Sequence, residues 1–278
     1  MNGAWVRFSA WLRSLPTLGR VSVLAAFVAI VLQIAYPLAS DTMQRVLTIA
    51  SVCTFFVASL THAAFTRGVK AAVALVVVCV GGGLVAESIG WRTGVPFGNY
   101  RYGDSLGVKL GGVPLVVALA WAMMGWIALL AGRRATSRLR PRKSVVGLVV
   151  VAVTGALVLV TWDLFLDPQM VDAGHWVWNP TPGPRLHGVP VVNSLGWFVV
   201  GAFMVLLLHL AVPRSLRAAS ADLPMWVLLG WTWFSETLGH IVFFGRPSVG
   251  VVGGLAMGAV LVFVCRPELA QLSRGRSG

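Results

Sequence analysis

The chain has 278 residues, 57% of them hydrophobic and 11% charged, with 22 Lys+Arg against 9 Asp+Glu for a formal net charge of +13. Soluble domains carry about 25% charged residues, so this composition excludes an ordinary soluble enzyme and a disordered tail protein. A basic surplus points to nucleic acid where it builds a basic-aromatic groove; here it is spread between long apolar runs, which points to a membrane protein without a nucleic-acid partner.

Crossing a bilayer takes about 17–25 apolar residues. Eight segments qualify, at 21–39, 43–65, 71–90, 112–131, 145–166, 189–212, 223–244 and 249–265. They predict an all-α polytopic transmembrane bundle of about eight spans forming a single integral membrane domain over 1–278. Within it, 1–70 carries an N-terminal helix pair and 223–265 a C-terminal pair. The first segment follows Arg7, Arg13 and Arg20 but is long for a signal peptide and has no small-x-small cleavage site, so it is expected to be a retained helix. Cys53, Cys79 and Cys265 stand singly in apolar stretches and read as small core residues.

Lys and Arg in the connecting segments set orientation. Sixteen fall at the N-terminus, 66–70, 132–143, 213–221 and the C-terminal tail, against six in the alternate segments. This predicts a multi-pass protein of the cell membrane with both termini cytoplasmic and the loops at 91–111 and 167–188 facing outward. The acids run the other way: Asp41, Glu87, Asp104, Asp163, Asp167, Asp172 and Glu236 fall in the outer half, with only Asp222 and Glu268 opposite.

A shift of 76 residues aligns 87–126 with 163–202 without a gap, inside two repeat copies expected over 71–131 and 145–212. Glu87 falls on Asp163, Tyr100 on Trp176, Tyr102 on Trp178, Gly112-Val-Pro114 on Gly188-Val-Pro190, and Trp121 on Trp197. Eleven of the 40 positions from 87 to 126 are identical to their partners, and the clustered Gly-Val-Pro block is harder to obtain from shared membrane composition than scattered matches are. Each copy is a helix ending in an acid, an outer loop, and a helix with proline in its first turn. Copies running in the same direction are parallel repeats about an axis along the membrane normal, which would bring Glu87 and Asp163 together across a central cavity.

Glu87, Asp163 and Glu236 lie inside or at the end of apolar spans. An ionisable group there costs about 2.5–3.5 kcal/mol on insertion scales and normally faces a bundle interior or a wet cavity. The bland alternative is polar glue between helices. Three on one side favour a site, with at least one expected to stay protonated and act as an acid. Asp167 lies four residues from Asp163, on the same helix face, just before Pro168. Pro168 is expected to end that helix, so Asp167 is equally well explained as helix-end or turn chemistry. Glu236 and His240 repeat the four-residue spacing; with no HxxxH motif, a hydrogen-bonded acid–imidazole pair is expected rather than a metal site. His175 and His187 lie in the second outer loop. Trp91, Phe97, Tyr100, Tyr102, Trp176 and Trp178 crowd the same level, either as an interfacial aromatic belt or as the lining of a flat apolar substrate site.

These residues carry a resemblance. The run from Glu87 to Tyr102, Gly112-Val-Pro114, Asp163-Leu-Phe-Leu-Asp-Pro168, Gly174-His-Trp-Val-Trp178 and Gly188-Val-Pro-Val-Val-Asn193 with Gly196-Trp197 are similar to the membrane carotenoid biosynthesis proteins, a family that includes the bisanhydrobacterioruberin and γ-carotene hydratases. The resemblance covers roughly 80–265. It implies a carotenoid or other polyprenoid substrate taken from the bilayer, water addition across the terminal C1–C2 double bond of an acyclic end without a cofactor, and other carotenoid enzymes as partners. Hydration of an isolated alkene needs a desolvated acid, a carboxylate or π-face beside the resulting cation, and a base-held water. The expected roles are Asp163 or Glu87 as proton donor, the other as water-orienting base, Glu236 as electrostatic support, and Asn193 as a holder of the water. End-group cyclisation or isomerisation needs the same protonation. A transporter would also use intramembrane acids and parallel repeats, with helix breaks such as Gly81-Gly-Gly83 and access from both faces.

Overall fold

A computed structural model describes residues 9–136, 144–180, 182–215, 217 and 219–274. Most of the basic segment 132–143 therefore lies outside the described residues, as do the side chains of the C-terminal tail. The helices are α1 (Thr17–Ala35), α2 (Asp41–Arg67), α3 (Val69–Thr93), α4 (Leu115–Ala135), α5 (Val145–Asp172), α6 (Val191–Ala211), α7 (Leu223–Leu238) and α8 (Pro247–Arg274). Seven of them, all but α7, contain a window long and apolar enough to cross a bilayer, which makes the chain a multi-pass membrane protein. The eighth expected span is helical too, but Thr232, Ser235, Glu236, Thr237 and His240 dilute its apolar character, and its last turns, Gly239–Phe243, widen into a π-helix.

α4 is the axis of the bundle: 78% of its apolar window is buried, against 17% for α1. Trp121, Met124, Trp126, Ile127 and Leu129 of α4 are fully enclosed. α2, α5 and α6 pack around it, with α1 against α2 and α8 against α5. Lipid tails are as apolar as leucine, so packing in a membrane relies on close backbone approach and interhelical hydrogen bonds. Both are present. Gly132 sits against the Val151 backbone and Gly155 against the Ala128 carbonyl. Ser22 donates to the Ala58 carbonyl and Ser59 to the Met123 carbonyl, each at 2.9 Å. Phe27, Phe203, Leu255 and Val262 face outward, where a lipid surround accepts them.

The loops at 94–114 and 173–190 lie at one end of the bundle and carry its short strands: β1 (Tyr100–Tyr102), β2 (Lys109–Leu110), β3 (Val113–Pro114), β4 (Trp176–Trp178), β5 (Arg185–Leu186) and β6 (Val189–Pro190). β2 and β3 form one hairpin and β5 and β6 another. β1 and β4 pair antiparallel with Tyr100 opposite Trp178 and Tyr102 opposite Trp176. Each hairpin strand and helix of 109–135 begins and ends 76 residues before its counterpart in 185–211. Two expectations are corrected. Pro114 and Pro190 are not in the first helical turn; they close the hairpins in extended conformation, and α4 and α6 begin one residue later. Pro168 does not end its helix either: α5 runs on to Asp172 with Pro168 inside. A helix buried among neighbours tolerates the missing N–H, and Ser144 secures its start by accepting the Gly147 N–H.

Candidate active site

Beneath the paired loops a cavity of about 80 Å³ opens between α3, α4, α5 and α6, and Glu87, Asp163, Asp167 and Asn193 all line it. Each acid arrives from its own geometry. Glu87 projects inward six residues before the end of α3. Asp163 and Asp167, one turn apart on α5, point to the same side, and the helix that continues through Pro168 keeps Asp167 inside the bundle. The three carboxyl groups are 4%, 1% and 3% exposed, so the spans deliver them out of the lipid into the interior.

Glu87 is saturated. Its Oε2 accepts from the Tyr100 hydroxyl at 2.5 Å and the Tyr102 hydroxyl at 2.7 Å, and its Oε1 from Trp121 Nε1 at 2.9 Å. Burial and the adjacent Glu87 charge push both phenols well above their ordinary value, so they remain protonated donors. Three donors thus converge on one carboxyl group and fix its orientation.

The aspartates are joined by one amide. Asn193 Nδ2 donates to Asp163 Oδ2 at 2.9 Å and also to Asp167 Oδ2. Asp167 Oδ1 accepts from Trp176 Nε1 at 2.6 Å, while the buried Asp163 Oδ1 has no partner among the described residues. Fully satisfied on one side and open on the other, the site holds unused hydrogen-bonding capacity where a reactant would bind.

Aromatic rings form the walls: Phe97, Tyr100, Tyr102, Trp162, Trp176, Trp178 and Trp197. Phe97 reaches the cavity because Gly196 of α6 lets the 96–97 backbone lie against it; a Cβ there would stand 2.7 Å from the Pro96 carbonyl oxygen. Trp121 and Trp197 were visible in the sequence only as matched positions of the 76-residue register, without a role. That match was the one available signal. Thr48 and Val52 of α2 and Met170 of α5 also line the site and carried no chemical signal.

Three expected residues are placed elsewhere. Trp91 is outside the cavity, donating to the Gly111 carbonyl at 3.1 Å under the Arg92 guanidinium. Its indole is amphipathic and finds its partner in the hairpin. His240 Nε2 and Glu236 Oε2 lie 3.7 Å apart, beyond hydrogen-bond reach, and both ring nitrogens of His240 are buried without a hydrogen-bond partner among the described residues, so the expected hydrogen-bonded pair is not formed. His240 is buried against Phe165 and Phe244 and lines neither cavity. Glu236 lines a larger cavity of about 340 Å³, between the end of α1, α2, α5 and α7, rather than joining Glu87 and Asp163. The two cavities share walls at Thr48, Val52, Trp162, Leu166 and Met170.

A family model described as "Carotenoid biosynthesis protein" matches residues 42–261. A curated relative, bisanhydrobacterioruberin hydratase of Haloarcula japonica, is 35% identical over 148 residues. That stretch is 50% of this chain and 45% of the relative's length, so the likeness spans about half of the relative. No solved structure matches the chain.

Proposed function

The chain belongs to the carotenoid biosynthesis protein family, and from that premise we propose that it hydrates the terminal C1–C2 double bond of an acyclic carotenoid end without a cofactor. One observation carries the proposal. A buried aspartate pair bridged by Asn193 faces a three-donor carboxylate across an aromatic-walled cavity inside an apolar bundle. Asp163 is the proton donor, since its Oδ1 is free to carry and present a hydrogen. Protonation at C2 leaves a tertiary cation at C1. Glu87 and the faces of the tryptophans stabilise that cation. Water then bonds to C1 through oxygen and returns one proton to the aspartates. The balance is alkene plus water giving tertiary alcohol, with no change that calls for an oxidant or reductant.

The larger cavity suits the polyene, with the reacting end inserted past Val52 and Leu166, and Glu236 sits along that path as remote electrostatic support. The proposed membrane is the cell membrane, with the loop end outward and both termini cytoplasmic. Packing of Met124, Trp126 and Ile127 deeper along α4 closes the interior, which favours an enzyme over a transporter. Expression in a lycopene-making host, with chromatography and mass spectrometry of the pigments, tests the reaction. Products one water heavier are expected; products of unchanged mass indicate cyclisation or isomerisation. An unchanged pigment profile with the protein present in the membrane would overturn the proposal for that substrate.

A further inference from the structure

A small cavity of about 10 Å³ lies beside the site, and Asp163 and Asp167 line both. Its remaining walls come from Leu164 and Pro168 of α5, the β5–β6 hairpin and Ser194 of α6. Such a volume accommodates about one water, provided two to four polar groups hold it. Three are present. Asp163 Oδ1 and His187 Nε2 are buried and unpartnered among the described residues. The Leu164 carbonyl loses its usual helical donor because Pro168, four residues on, has no N–H.

His187 itself is unusual. It sits in the hairpin turn at φ +51°, and its counterpart in the β2–β3 hairpin, 76 residues earlier, is Gly111 at φ +62°. Glycine accepts that conformation freely, and histidine is among the few other residue types that adopt it with some frequency, so the turn can carry an imidazole where the first hairpin carries none. Its Nδ1 lies 3.4 Å from the Ser248 hydroxyl at the start of α8, which turns the imidazole so that Nε2 faces inward. Residues 182–186 and Gly188 around it are exposed while Val189 and Pro190 are buried, so His187 stands between the loop surface and the aspartates.

We propose that this cavity is a single-water port: one water, held by Asp163 Oδ1, His187 Nε2 and the Leu164 carbonyl, enters from the loop end and supplies the addition step. The role in turnover rests on the hydratase function above; the water site itself does not. Each cycle consumes one water, whose oxygen bonds to the substrate carbon and one of whose protons returns to the carboxyl that protonated the alkene. His187 is a positioning residue acting through that water.

The water site is tested by an experimental map of the detergent-solubilised protein at a resolution that shows ordered water. An oxygen within hydrogen-bond reach of Asp163 and His187 is expected, and its absence overturns the port. The delivery role is tested with His187→Gly, which suits the left-handed turn. kcat is expected to fall roughly tenfold, the effect of about one lost hydrogen bond, with KM unchanged and activity restored by added imidazole. Unchanged kcat, or a loss that imidazole leaves in place, overturns delivery. A wild-type protein that shows the ordered oxygen but hydrates no acyclic carotenoid supports the water site and overturns the reaction.

Discussion

Trp121 and Trp197 stack face to face, their ring centroids 4.0 Å apart and their planes 15° from parallel, although 76 residues separate them in the chain. The stack ties α4 to α6 and holds the Trp121 N–H on Glu87. Gly83 of α3 packs against the same Trp121 side chain, where a Cβ would lie 2.9 Å from Cδ1. Gly83→Ala is therefore expected to push the indole away from Glu87. Overpacking of this kind costs about 1–3 kcal/mol. Thermal unfolding in detergent should show a lower Tm, and pigment conversion should slow; a variant identical to wild type in both would refute the wedge.

Carboxamide substitutions separate the acids. Asp163→Asn removes the proposed donor and should cost at least about 10²-fold in kcat. Glu87→Gln replaces one acceptor oxygen with an N–H₂ donor beneath three fixed donors, so that N–H₂ is left facing an N–H or O–H; both stability and rate should fall. Glu236→Gln lies on the other cavity and, as remote electrostatic support, should lower kcat far less than Asp163→Asn does, with KM near wild type. Conversion rates and KM for purified variants in lipid check all three, and full activity in Asp163→Asn would remove it as donor.

The shared wall gives a size test. Val52 lies on both cavities, and Val52→Trp should narrow the passage between them. Turnover of a full-length acyclic carotenoid is expected to drop, while a short acyclic isoprenoid with the same end group continues to be hydrated. Equal losses on both would mean that the polyene takes another route.

The two loops should loosen in acid. His175 is buried beside the Ser105 hydroxyl, 2.7 Å from its Nδ1. Burial first, then the Arg45 charge, lowers its pKa below the usual 6.5. The unfolded chain then takes up a proton that the folded chain refuses, so stability present above 6.5 declines as pH falls from 6.5 toward the lower folded value. Tm measured from pH 7.5 downward should fall over that interval, and His175→Asn should flatten that part of the profile.

The resemblance to carotenoid enzymes, the helical architecture and the crowding of acids and aromatics at one level were legible from hydropathy, motif and spacing. Other features needed partners from distant segments. Asp167 looked like a residue at a helix end because Pro168 follows it, yet helices packed around α5 carry it on and Asn193 draws the side chain inward. Glu236 sat at the same apparent depth as Glu87, but α7 turns it toward α1 and α2. The Tyr and Trp residues of the first loop were candidates for either a belt or a lining. Pairing of β1 with β4 places Tyr100 and Tyr102 over Glu87, and leaves Trp91 outside.

What the sequence alone determined is whatever depends on contiguous chain: span length, the uneven placement of Lys, Arg and acids, the 76-residue register and the residue types at the site. A bilayer enforces those locally, because each apolar run must satisfy its own backbone and each buried charge must leave the lipid. Tertiary structure alone decided which buried groups share a cavity. Helix rotation, the antiparallel loop pairing and the close approaches at glycine set those distances, and none of them is recorded in periodicity. For this reason Asp163, Asp167 and Asn193 meet with one carboxyl oxygen still free, while Glu236 lines a different space.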